Sequence, residues 1–128
     1  MARRLLQFIR PPRSEPPLLT ELAPAFAAEL ETLISQHGKR KLAASVDALR
    51  VVERCPCGDD ECSSFYVTPS FVVRWRWHGH GETLKLQTVR GTISIDLIDG
   101  QIVLVEVLDR PDVEEALVAA NMPGRDDR

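Results

Sequence analysis

From Leu18 onward the apolar positions recur at helical spacing, with Leu19, Leu22, Phe26, Leu30, Leu33 and Ile34 in one stripe and Glu21, Glu29 and Glu31 on other faces. Such a stripe predicts an amphipathic helix laid on a core. Thr20 is its candidate N-cap, Pro24 is compatible only with a helix that properly begins near it, and Gly38 after His37 is a stop signal. Leu42 to Asp47 allows one short helical turn, and Ala48 to Arg54 reads as a strand. The period then shortens to two. Phe65 to Val67 and Phe71 to Trp77 are dense in β-branched and aromatic residues, and Thr68-Pro69-Ser70 between them reads as a break that assigns this segment to a sheet edge. Val73, Trp75 and Trp77 alternate with Arg74, Arg76 and His78, which predicts a strand with buried tryptophans and solvated arginines.

His78-Gly79-His80-Gly81 makes a turn, Thr83 to Val89 and Gly91 to Ile98 read as strands, and Asp99-Gly100 is a two-residue hairpin signal leading into a strand over Gln101 to Leu108. Asp109, Pro111 and Asp112 open a short helix that runs to about Ala120, with negative charge where the helix dipole favours it. The predicted class is α+β: an N-terminal helix packed on a five- or six-stranded, mainly antiparallel sheet, with a short C-terminal helix.

Composition adds an uneven charge. The chain of 128 residues has a net charge of −3, yet Arg3, Arg4, Arg10 and Arg13 give its first thirteen residues +4. A basic arm therefore precedes an acidic body carrying −7. Pro11, Pro12, Pro16 and Pro17 exclude helix and ladder, so residues 1–17 are expected to form a basic, proline-rich flexible arm, 18–121 a single domain, and 122–128 a tail. The apolar run Leu5 to Ile9 is too short for an export signal, and no stretch approaches the ~20 apolar residues of a membrane span. The expectation is a cytoplasmic protein with reduced thiols. Lys39-Arg40-Lys41 reads as a solvated turn beyond a helix end.

The candidate chemistry is concentrated in Arg54 to Val67, which holds all three cysteines as Cys55-x-Cys57-x4-Cys62. Zinc takes about four donors, thiolate and imidazole preferred. Three are here, and the fourth would come from His78 or His80, neighbours in one turn, from His37, or from a carboxylate. The alternative is three ordinary thiols in a turn built by Pro56 and Gly58. Asp59-Asp60-Glu61 beside Cys57 and Cys62 disfavours a thiolate nucleophile, with Arg54 a partial offset at Cys55, while the same acidic run favours a cation. Arg54-Cys55-Pro56-Cys57-Gly58, together with Asp99-Gly100-Gln101-Ile102 and Glu106-Val107-Leu108, resembles small bacterial proteins of uncharacterised function over about residues 42–108. The resemblance implies an α+β fold and carries no activity.

Pairing across Asp99-Gly100 in simple register sets Ile93 opposite Glu106. That would place Glu106 on the apolar face of Ile93, Ile95, Leu97, Ile102 and Leu104, where a raised pKa would suit a general base. Ser63, Ser64, Ser70 and Ser94 lack a nucleophile elbow, and no P-loop or dinucleotide fingerprint is present. Three expectations follow: a non-enzymatic module for a protein partner or a second copy, with a candidate zinc loop; a nucleic-acid-associated protein using the basic arm with Arg74 and Arg76; or an enzyme centred on Glu106.

Overall fold

The computed structural model describes residues 15–57 and 61–122. Residues 1–14 of the expected basic arm over 1–17, the loop residues 58–60 and residues 123–128 of the expected tail over 122–128 lie outside the described residues. What is described of the proline-rich stretch belongs to the body: the Val51 N–H donates to the Pro17 carbonyl at 2.8 Å and the Arg50 guanidinium to that of Pro16 at 2.6 Å.

Helix α1 (Leu19–Leu22) is a single turn, and α2 (Pro24–Gln36) is the main helix. Pro24 lacks an N–H and forces Ala23 out of the helical region, so one apolar stripe is carried by two helices. Thr20 does not cap. Glu21 does so by reaching back to accept the Leu18 N–H at 3.0 Å. Gly38, at φ +88, ends the run in the left-handed region as expected. A short α3 (Arg40–Ala44) and a tight turn over Ser45–Ala48 return the chain to the sheet.

The sheet has five antiparallel strands: β1 (Glu53–Arg54), β2 (Phe65–Tyr66), β3 (Gly81–Thr88), β4 (Gly91–Ile98) and β5 (Gln101–Glu106), in the order β1-β2-β5-β4-β3. Asp99 and Gly100 both take positive φ, the mirror-image turn that matches strand twist. The C-terminal helix, α5 (Pro111–Ala119), closes the fold. Phe26, Leu30 and Ile34 of α2 pack on Phe65, Ile95, Val105 and Val107 of the sheet side, with Val113 and Leu117 of α5 completing one core. Phe26 meets Phe65 edge-on, with ring centroids 6.2 Å apart. Each of these side chains, fully buried, contributes about 1.5–3 kcal/mol.

Residues expected as a sixth strand form instead a helix, α4 (Ser70–Arg76). Its start is fixed from another element: Glu53 on β1 accepts both the N–H and the hydroxyl of Ser70, at 3.2 and 3.0 Å. A negative carboxylate is thereby set at a helix N-terminus. Helical geometry then sorts the aromatics differently from a strand. Val73 and Trp77 turn inward onto Ile98, Val103 and Leu104, while Phe71 and Trp75 turn outward, Trp75 with 82% exposure. The expectation that both tryptophans are buried is corrected, and Arg74 and Arg76 stand exposed on a helix rather than on a strand, with Arg76 bound to Asp99 at 2.6 Å.

Helices α1, α2 and α5 cover one sheet face, and α4 covers only one end of the other. Among the described residues no helix is long and apolar enough to cross a membrane.

Candidate metal centre

The uncovered end of that second face holds the cysteines, at the turn that follows β1 and on the segment that leads into β2. Glu53 pairs with Tyr66 and Arg54 with Phe65; one residue further, the Cys55 N–H donates to the Ser64 carbonyl at 3.0 Å. Cys62 bridges Leu108. Side chains alternate between faces along the pairing that leads into Phe65–Tyr66, so Cys62, Ser64 and Tyr66 share one face. β1 ends at Arg54, and Pro56 and Cys57 form a turn that brings Cys57 back toward Cys55 and Cys62.

The result is a cluster in which the Sγ atoms of Cys55, Cys57 and Cys62 all lie within 4.8 Å of one another. All three are reduced; Cys62 is buried, Cys55 half-buried and Cys57 exposed. Three soft donors at this separation can hold a metal ion. Burial pushes the Cys55 thiol up to about 12, and the neighbouring Cys57 and Cys62 add to the rise against a lowering backbone hydrogen bond. Arg54 gives no help, because it points to the opposite face and binds Glu114 of α5 at 2.6 Å.

The frame around the cluster is rigidly tied. Ser64 Oγ accepts the Val107 N–H at 2.8 Å, Ser63 N–H donates to the Val107 carbonyl at 2.8 Å, and the Asp109 N–H donates to the Glu61 carbonyl at 2.7 Å. Both serine hydroxyls are engaged by backbone, Ser63 Oγ donating to the Arg110 carbonyl. Arg110, 3% exposed, is itself held by Glu29 and Asp112 and lies over the Phe26 ring at 5.2 Å.

The cluster opens onto a groove of about 540 Å³ lined by Cys55, Cys62, Tyr66, Lys85, Glu106 and Leu108 among others. Glu106 reaches this groove through a bulge. Ile98 pairs with Gln101 as expected, but the register shifts between Asp96 and Leu97, so that Glu106 faces Ser94 rather than Ile93. Val103 is the extra residue, and everything after it on β5 changes face. Glu106 is therefore an exposed carboxylate on the polar face, not one on the apolar face; Leu104 shares its side, whereas Val105 and Val107 face the helices. Its pKa is still raised, first by partial burial and then by Asp96, against a lowering contribution from Lys85.

The histidines do not join the thiols. His80 precedes β3, whose Gly81 pairs with Ile98, while the cysteines sit beside Leu108, level with Thr92 if the Ser94–Glu106 register is continued. Six residues of strand separate the two levels, about 20 Å at ~3.3 Å per residue. His78 lies in the same turn as His80, and His37 follows α2 near Lys85 and Gln87. Among the described residues the metal-capable group is the cysteine trio alone. Asp59 and Asp60 lie outside the described residues.

This is an α+β protein with a three-thiol cluster on the open face of its sheet. No family model matches the chain, and no curated protein and no solved structure matches it.

Proposed function

We propose that this protein is a small non-enzymatic interaction module whose Cys55–Cys62 turn is built around a zinc ion. The convergence of three Sγ atoms within 4.8 Å carries the reading. Neutral thiols gain only weak hydrogen bonds from one another, whereas a divalent cation deprotonates them and offsets the repulsion between the resulting thiolates. Soft thiolates select zinc among the common divalent ions of tetrahedral preference. A binding role fits the rest of the surface. Phe71 and Trp75 project from α4 with 66% and 82% exposure, and aromatic side chains of this size are enriched where proteins meet. An acid–base role fits less well, since Glu106 stands on an exposed face and the Ser63 and Ser64 hydroxyls are engaged by backbone.

Elemental mass spectrometry of the full chain purified without a histidine tag tests this reading. The expected result is near-stoichiometric zinc, falling sharply in Cys55→Ser, Cys57→Ser and Cys62→Ser. Metal-free wild-type protein that takes up no zinc on titration would remove it.

A further inference from the structure

Among the described residues the cysteine cluster supplies three donors where tetrahedral zinc takes four. At the other end of the same sheet stands a histidine already arranged as a ligand. His80 Nδ1 lies 3.1 Å from Asp99 Oδ1, and Asp99 is held in turn by Arg76 through its other oxygen at 2.6 Å. Metal-binding histidines nearly always donate one ring N–H to such a carboxylate, which fixes the tautomer and leaves the other nitrogen to the metal. With Nδ1 against Asp99, Nε2 of this exposed ring is the nitrogen left to face a metal when Nδ1 carries the proton. The carboxylate–histidine pair lies at least about 20 Å from the thiols of its own chain, and beside the opposite edge strand. It cannot serve them.

We propose that zinc joins two copies of this chain, with Cys55, Cys57 and Cys62 of one copy and His80 of the other completing a Cys3His site. The inference rests on the zinc reading above and goes beyond it by naming the partner and the fourth ligand. Cys3His is a standard closed zinc set, and the neutral imidazole adds no further negative charge to three thiolates. Because the two half-sites lie at opposite ends of one sheet, a two-fold axis pairs each cysteine end with the other copy's histidine turn. Two identical sites then form and the assembly closes. Apolar surface is available at both ends: α4, which leads into the His80 turn, exposes Phe71 and Trp75, and Leu108 beside Cys62 is 58% exposed.

The test is sedimentation of the zinc-loaded full chain, with and without a chelator. Wild-type protein is expected to be a dimer that dissociates when zinc is removed. His80→Ala is expected to retain zinc-dependent thiol protection yet sediment as a monomer, while His78→Ala remains dimeric. A complementation arm guards against a variant that merely misfolds: His80→Ala and the double variant Cys57→Ser/Cys62→Ser should each be monomeric with zinc and form a heterodimer when mixed, because that pair rebuilds one complete site. A zinc-bound wild-type monomer would overturn the proposal while leaving the zinc site standing. A zinc-dependent dimer that survives His80→Ala would overturn it equally, and a chain that binds no zinc would overturn both readings.

Discussion

Glu106 faces Ser94 across β5 and β4, one residue away from the partner that an unbroken hairpin would give it. The carboxylate stands beside Lys85 on the groove face, and its pKa is raised chiefly by partial burial. A carboxylate whose folded pKa lies above its unfolded value costs stability when ionised. The cost is fully present above the folded pKa and disappears as pH falls below the unfolded one. Glu106→Gln should therefore leave the fold intact and stabilise it slightly near neutral pH, by about 0.3 kcal/mol given the exposure of the site. The difference should vanish by about pH 3, well below the unfolded value. Paired thermal melts at the two pH values check this.

Arg110 is a buried cation held by Glu29 from the main helix and by Asp112 from its own turn. Removing Glu29 leaves that charge with less compensation in the core. Glu29→Ala should cost about 3 kcal/mol, near the low end for breaking a buried pair because Glu29 is itself partly exposed. Asp112 behaves differently. Its own partial burial would raise its pKa, but the Arg110 hydrogen bond and charge, the Val113 N–H and Arg90 outweigh that and hold it below the ordinary value. Its contribution is present above the unfolded pKa and lost as pH falls through the folded one. Asp112→Asn should thus destabilise by roughly 0.5–1 kcal/mol at neutral pH and by nothing in strong acid. Urea unfolding across pH separates the two variants.

The metal-free cluster should show a reactivity order. Cys55 is pushed up to about 12 by burial and by its neighbouring thiols, whereas Cys57 is exposed. Alkylation depends on thiolate and access. With a chelator present, mass spectrometry near neutral pH should find Cys57 modified roughly tenfold or more faster than Cys55. Zinc should protect both.

Gly81 begins β3 directly under the Trp77 ring, and a Cβ at this position would fall on the ring atoms. Trp77 packs on Val73, Ile98, Val103 and Leu104. Gly81→Ala should displace the indole and cost about 1–3 kcal/mol, the range for overpacking. A red-shifted tryptophan emission and a lowered melting temperature would report it; an unchanged spectrum would contradict this packing.

Much of the architecture was legible in the sequence because it rests on local chemistry. The α2 stripe, the Gly38 stop, the Asp99-Gly100 turn and the Pro111 helix each follow from residues within one turn of one another. The cysteine loop was legible as a donor-rich segment for the same reason. What escaped came from elsewhere in the chain. Phe71 to Trp77 has strand composition, yet Glu53, far away in sequence, caps it as a helix; the i, i+4 pairs Val73–Trp77 and Phe71–Trp75 were the available signal. The face of Glu106 depended on one extra residue, Val103, inserted in a run of apolar residues that gives no sign of a bulge. The histidines were recognised as ligand candidates, but only strand order could separate them from the thiols of their own chain.

The most direct measurement of the central claim is the absorption spectrum of the chain loaded with cobalt(II) in place of zinc. A tetrahedral, thiolate-rich site predicts intense visible ligand-field bands and a strong near-ultraviolet sulfur-to-cobalt transition, both lost in Cys57→Ser/Cys62→Ser and both displaced by zinc. The pale spectrum of six-coordinate cobalt bound through oxygen, unchanged by that double substitution, would contradict a metal centre at Cys55, Cys57 and Cys62.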